Sequence, residues 1–431
     1  MRRRRGHPAW WIAGGLLAVQ AAICALIILS GAALIDYMAY DLAAERLARG
    51  DSPYADPALV QTTFERMRDF LATRDPSVFR GDEEPTYIYP PTLALALAAT
   101  GMAGTIGLQL AWLVLVVASI GAVAVFAARA GGSPWWALLP VLSLDAVAPL
   151  SSGNAELPVA ALALLGCWLI WRGHGVLAAL PIALAVLIKP VFGPLFAAFA
   201  LLFLRQATDR RAAVTTVALA AGLSLALVAL EVLRWPDWLR AETLDWLGNA
   251  YQHTFMGLPV ERQVPFSDWN RAPMQVFLTA GLAPPQAQAA GLAVALTVLA
   301  SGLLLAPRGL RFVPVMAVAW LVMLLARPTT WTLIHLDLLM LLALWPALDP
   351  GRPRQIALGA VVALQLSHWT AFYAGLAWHP RWMLTLQSHQ FPFETLILLP
   401  AITLALLWAL RQPENLDPAP GRALDPAGSP Q

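Results

Sequence analysis

Asp36 and Asp41 close a long uncharged run in the sequence IDYMAYD, and two more polar groups stand alone in apolar surroundings, Lys189 in LAVLIKPVFGPLF and His335 in WTLIHLDLL. A carboxylate beside hydrocarbon is costly to keep, so both aspartates read as places for chemistry. Such a group can take a proton from an attacking hydroxyl. A lysine offers a compact charge for a phosphate, and Lys189 is the single lysine among 28 Lys and Arg residues. It has a plainer reading too, as a side chain that snorkels to the outer headgroups. Asn154 and Glu156, in SSGNAELPVA, read as a helix cap with an acid in the first turn or as polar ligands, and the two readings can coexist. A lone histidine in a helix is more often a satisfied core group; the depth and side of His335 favour function. Asn270 and Arg271 in DWNRAP complete the set, with Asp145, Glu231 and Glu394 as weaker candidates.

The elements that position these groups are membrane helices. The chain is 59% hydrophobic and 13% charged, with apolar runs of roughly 15 to 25 residues, about what a bilayer demands. MRRRRGHPAWW followed by an apolar stretch reads as an uncleaved signal anchor. Cys24 and Cys167 both fall in predicted spans, which excludes a disulfide-stapled secreted domain and a zinc cluster. Arg2 to Arg5, Arg129, Arg172, Arg205 to Arg211, Arg308, Arg311, Arg352, Arg354 and Arg411 are placed on the cytoplasmic side, where basic residues accumulate. About twelve crossings then fit, at 10–34, 104–128, 134–150, 155–171, 175–188, 190–204, 212–233, 285–306, 311–326, 331–348, 356–377 and 393–410, with both termini cytoplasmic. The apolar segment 92–101 is expected to be re-entrant or interfacial. A single integral-membrane domain, 1–411, thus carries outer loops 36–91 and 235–284, and 412–431 reads as a disordered cytoplasmic tail. Loop 36–91 holds 11 Asp/Glu against 6 Arg, and Trp235, Trp238, Trp246, Trp269, Trp331, Trp378 and Trp382 mark outer ends like a headgroup belt. The motifs H-E-x-x-H, C-x-x-C, G-x-S-x-G and the Walker loop are absent, and nothing points to nucleic acid or haem.

The series Asp36, Tyr40, Ala43-Ala44, Gly50, Ser52-Pro53-Tyr54 and Tyr87-Ile88-Tyr89-Pro90-Pro91 resembles the start of glycosyltransferase family 87. Gly153-Asn154, Lys189-Pro190, Trp269-Asn270-Arg271 and the pair Trp331 and His335 resemble that family in order and spacing. The resemblance implies an all-α polytopic membrane protein of GT-C fold, with about 12 transmembrane helices and a large first extracytoplasmic loop carrying interfacial helices. It implies a bacterial inner-membrane enzyme with an extracytoplasmic site that moves a sugar, often mannose, from a polyprenyl-phosphate donor to a glycan or glycolipid acceptor with inversion. Asp36 matches the catalytic carboxylate, Asp41 is its reserve, and His335 matches a late histidine that serves as acid/base partner or ligand. Lys189, with Arg271 or His335, would stabilise the departing phosphate. Tyr40, Tyr54, Tyr89, Asn154, Glu156 and Asn270 are the expected substrate-binding residues. No metal or cofactor is expected: there is no D-x-D pair in the first loop, and Asp82-Glu83-Glu84 reads as a solvated turn. The stretch 61–85 departs from the family pattern; its Phe64, Met67, Phe70 and Leu71 suit an amphipathic helix on the membrane surface. The competing classes are a lipid-linked glycan flippase, which would place ionisable groups near the midplane, and an outer-face ligase using a pyrophosphate-linked donor.

Overall fold

The computed structural model describes residues 7–31, 34–54, 87, 89–253, 272–327, 336–345 and 399–412. Every element among them is a helix. In chain order they are α1 (Pro8–Leu29), α2 (Ile35–Arg49), α3 (Thr92–Ala98), α4 (Ile106–Ala130), α5 (Leu138–Leu142), α6 (Leu144–Ser152), α7 (Glu156–Trp171), α8 (Gly175–Ile188), α9 (Gly193–Gln206), α10 (Arg210–Arg234), α11 (Asp237–His253), α12 (Pro273–Thr279), α13 (Pro284–Leu305), α14 (Phe312–Ala326), α15 (Leu336–Leu344) and α16 (Leu399–Ala409). Four of them, α1, α4, α10 and α13, are long and apolar enough to cross a membrane, and α7, α8, α9, α14 and α16 are shorter apolar helices.

The centre of the bundle is α14. It is apolar all round, and a helix with no polar face belongs inside; Trp320, Met316 and Leu321 are fully buried. It packs against α9, α13 and α15, while α8 lies between α7 and α10. The outward faces of α1 and α10 carry exposed Trp11, Leu26, Leu225 and Leu233, as the faces of lipid-contacting helices do. Both cysteines are buried free thiols.

Helix bounds for 155–171, 175–188 and 311–326 fall within a residue of the expected spans. The expected span 134–150 is not one helix: a 3-10 turn at Pro134–Ala137 leads into α5 and α6. Ser143 is extended at the junction, with ψ 145°, and its Oγ donates to the Pro140 carbonyl at 3.2 Å. Pro149, inside α6, has no N–H to continue the ladder. Segment 92–101 contains the seven-residue α3, about 10 Å long at 1.5 Å per residue and too short to cross; it packs on α2. Of span 331–348 only α15 is described, and span 356–377, the stretch 61–85 and the tail from 413 lie outside the described residues.

Candidate active site

The site is built from helix ends. Gly153 closes α6 in the left-handed conformation, φ 74°, and its carbonyl accepts the Trp112 indole N–H of α4 at 2.7 Å. A Cβ here would lie 2.9 Å from the Tyr37 Cβ and 3.1 Å from the Leu34 Cβ, so only glycine allows α2 this close. The next two residues turn the chain into α7. Ala155 N–H donates to the Tyr40 hydroxyl at 3.0 Å, and Glu156 N–H donates to Asn154 Oδ1 at 2.8 Å. Asn154, one residue before the N-cap Ala155, thus satisfies the N–H of the first residue of α7 with its side chain.

α2 presents its side chains by helical spacing. Tyr37, Tyr40 and Ala44, with Ala43, form the buried face, and the small alanines admit α3. Asp36 lies beside that face in the first turn, partly exposed, where a helix N-terminus favours an acid. Asn154 Nδ2 donates to Asp36 Oδ2 at 3.0 Å. Asp41 lies five residues on, about 140° around the helix. Its Oδ1 accepts the Gly104 N–H at 2.8 Å, and burial, opposed by that hydrogen bond and reinforced by Glu45, raises its pKa above the usual carboxylate value.

Lys189 sits where α8 breaks. A residue before proline is biased to extended backbone, and Pro190 cannot continue the ladder; Lys189 has φ −136° and ψ 92°. The lysine does not snorkel: it is 5% exposed. Its Nζ donates to Asn154 Oδ1 at 3.2 Å, forms an ion pair with Glu156 Oε2, and lies 4.8 Å from the Tyr89 ring centre. On the other side of Glu156, Arg327 Nη1 donates to Oε1 at 3.0 Å. Its Nε is buried with no hydrogen-bond partner among the described residues. Two cations thus hold one buried carboxylate, and one of them also reaches the amide that holds Asp36.

The tyrosines divide into support and lining. Tyr40 and Tyr87 are almost wholly buried, and their rings pack edge to face, centres 6.3 Å apart. Tyr40 also packs on Tyr89 at 5.3 Å and on Trp112 at 5.6 Å. Tyr87 donates to the Pro90 carbonyl at 2.6 Å, fixing the Tyr-x-Tyr-Pro-Pro turn. Burial pushes the Tyr40 and Tyr87 phenols well above their usual pKa, so neither is a proton donor at neutral pH by ionising. Tyr54 is half-buried, its hydroxyl 3.3 Å from Thr243 Oγ1 on α11, and burial raises it to about 12. Through that contact α11 meets the segment that follows α2.

Of the residues expected at the site, the structure brings together Asp36, Asn154, Glu156, Lys189 and Tyr89, with Tyr40 beneath them and Tyr54 further out. Asp41 faces Gly104 instead. His335, Asn270 and Arg271 lie outside the described residues. Arg327 was not expected. The signal that could have found it is topological: it follows the outer end of a predicted span, where the charge rule places few basic groups.

This arrangement defines a class: an integral membrane protein, all-helical among the described residues, whose helix ends converge on a carboxylate, an amide and buried cations, groups suited to moving a proton beside an anion. A family model described as glycosyltransferase family 87 matches residues 87–328, more than half of the chain. The chain belongs to glycosyltransferase family 87. It is accordingly a membrane glycosyltransferase. The match includes Tyr87, Tyr89, Asn154, Glu156, Lys189 and Arg327 and begins after Asp36. No curated protein and no solved structure matches the chain.

Proposed function

We propose that this chain is an inverting, polyprenyl-phosphate-dependent hexosyltransferase, with mannose the leading sugar, acting on a glycan or glycolipid acceptor at the outer face of a bacterial plasma membrane. Both termini are cytoplasmic in this reading, and residues 1–411 form one membrane domain. Asp36 takes the proton of the acceptor hydroxyl as that oxygen attacks the anomeric carbon. The bond from that carbon to the phosphate oxygen breaks on the opposite face, and its electron pair leaves with the lipid phosphate. Lys189 stabilises the charge that gathers there, assisted by Arg271 or His335.

The observation that carries this reading is the unbroken hydrogen-bond chain from Asp36 through Asn154 to the buried Lys189. It sets a partly exposed carboxylate and a cation on either side of one amide. Charge favours the monophosphate donor over a pyrophosphate one. Among the described residues Lys189 and Arg327 together oppose Glu156, leaving one positive charge in excess, which matches the single charge of a sugar phosphodiester.

The test is transfer of labelled mannose from polyprenyl-phosphate mannose in membranes carrying the wild-type chain or Asp36→Asn. Asparagine keeps an acceptor oxygen for Asn154 but cannot act as base, so transfer is expected to fall about 10²- to 10⁴-fold. Equal labelling by both chains removes Asp36 from the base role. Absence of label from wild type rejects this donor and sugar.

A further inference from the structure

We propose that Arg327 is a positioning residue for Asp36, acting through Glu156 and Asn154 without touching the sugar or its phosphate. The inference rests on the reading of Asp36 as the base. Among the described residues Arg327 bonds Glu156 and no group of α2, so any influence on Asp36 passes through intermediates. Glu156 Oε1 is held by Arg327 and its Oε2 by Lys189, which fixes the carboxylate at both oxygens. That anchors the first residue of α7, whose backbone N–H points at Asn154 Oδ1, and it anchors Lys189 Nζ, which points at the same oxygen. An amide oxygen that accepts from two fixed donors cannot rotate away, and a flipped amide would set its NH₂ against both donors. Asn154 Nδ2 is thereby directed to Asp36 Oδ2.

Arg327 supplies what Lys189 alone lacks. Without the guanidinium, the lysine is the only cation left on a buried carboxylate, and its charge is drawn from Asn154 to Glu156. The amide then loses one of the donors that fix it, and the carboxylate of Asp36 loses its orientation toward an acceptor. Errors of orientation at a reacting group are read as kcat.

The experiment uses the full-length chain in detergent and measures both transfer kinetics with polyprenyl-phosphate mannose and thermal unfolding, for Arg327→Gln, Arg327→Lys, Asn154→Ala and the double variant Arg327→Gln/Asn154→Ala. The expected result is a fall in kcat of roughly 10- to 100-fold for each of Arg327→Gln and Asn154→Ala, the loss a charged hydrogen bond carries, with donor KM within about threefold and partial rescue by Arg327→Lys. The double variant falls no further than the worse single one, because residues in one network do not add. A rise in donor KM as large as the fall in kcat would put Arg327 on the phosphate itself and overturn the proposal. So would losses that multiply in the double variant, or unfolding at lower temperature with unchanged kcat. If wild type transfers no mannose, the donor reading fails, and the unfolding temperatures still decide the linkage: non-additive shifts support it and additive shifts overturn it.

Discussion

Gly153→Ala tests how the site is held together, and Gly50→Ala is its control. Both glycines are left-handed, φ 74° and 84°, and both end a helix. An L residue in that conformation costs about 1–2 kcal/mol, so both variants carry this penalty. Their surroundings differ. A Cβ at Gly50 meets nothing within 4 Å, whereas at Gly153 it would lie 2.9 Å from the Tyr37 Cβ and 3.1 Å from the Leu34 Cβ. Those atoms are attached directly to the backbone of α2 and its entry, so relief requires moving the segment that carries Asp36. Overpacking of this kind adds about 1–3 kcal/mol. Gly153→Ala should therefore unfold at a lower temperature than Gly50→Ala, and displacement of Asp36 or Asn154 by a fraction of an ångström should cut kcat on the order of 10- to 100-fold, while Gly50→Ala transfers sugar at close to the wild-type rate. Thermal unfolding in detergent and initial rates of transfer read both effects. Equal behaviour of the two variants in both assays would refute the argument that the close approach of α2 to Gly153 sets the site.

Two further outcomes follow from neighbouring contacts. Tyr89→Phe keeps a ring face for Lys189, whereas Tyr89→Leu removes the cation–π contact, worth about 0.5–2 kcal/mol, and should unfold at a lower temperature than Tyr89→Phe in a thermal-shift comparison. Asp41→Asn should remove a pH dependence. The folded pKa of Asp41 is raised above its ordinary value of 3.8, so its contribution is complete below that value and is lost as pH rises through the folded pKa; the unfolding temperature of the variant should gain on wild type across that window and then level off. A gap that does not change with pH would show that Asp41 does not titrate there.

Much of the frame is legible in the sequence, because a bilayer demands long apolar runs and leaves few alternatives. The hairpin of α7 and α8 and the break at Lys189-Pro190 follow from apolar length and from proline, both local signals. The turn by which Asn154 accepts the Glu156 N–H is equally local. The split of 134–150 was missed because apolar content alone does not register the extended backbone at Ser143. Arg327 was missed for another reason. Its partner Glu156 is 171 positions away, and pairing at that separation leaves no mark on either local sequence. The motif marks Tyr40 as a substrate contact, and its contacts with the Ala155 N–H and the Trp112 ring, which no local sequence shows, make it a support of the turn as well.

The charges themselves argue that this end of the bundle is built for a ligand. Burying ions is expensive, and a buried cluster is often no more stable than apolar residues of the same volume. Stability therefore does not account for Lys189, Glu156 and Arg327 in a chain that is otherwise 59% hydrophobic. A purely structural cluster would also tend to balance, yet among the described residues these three leave one positive charge over. Among the described residues, the carboxylate of Asp36 is linked to the cluster through the neutral amide of Asn154. That amide is bonded to both charges and cancels neither. In the proposed reading, inverting transfer from a lipid phosphate uses Asp36 as base and the positive charge as counter-ion, and needs those two capacities side by side and separate.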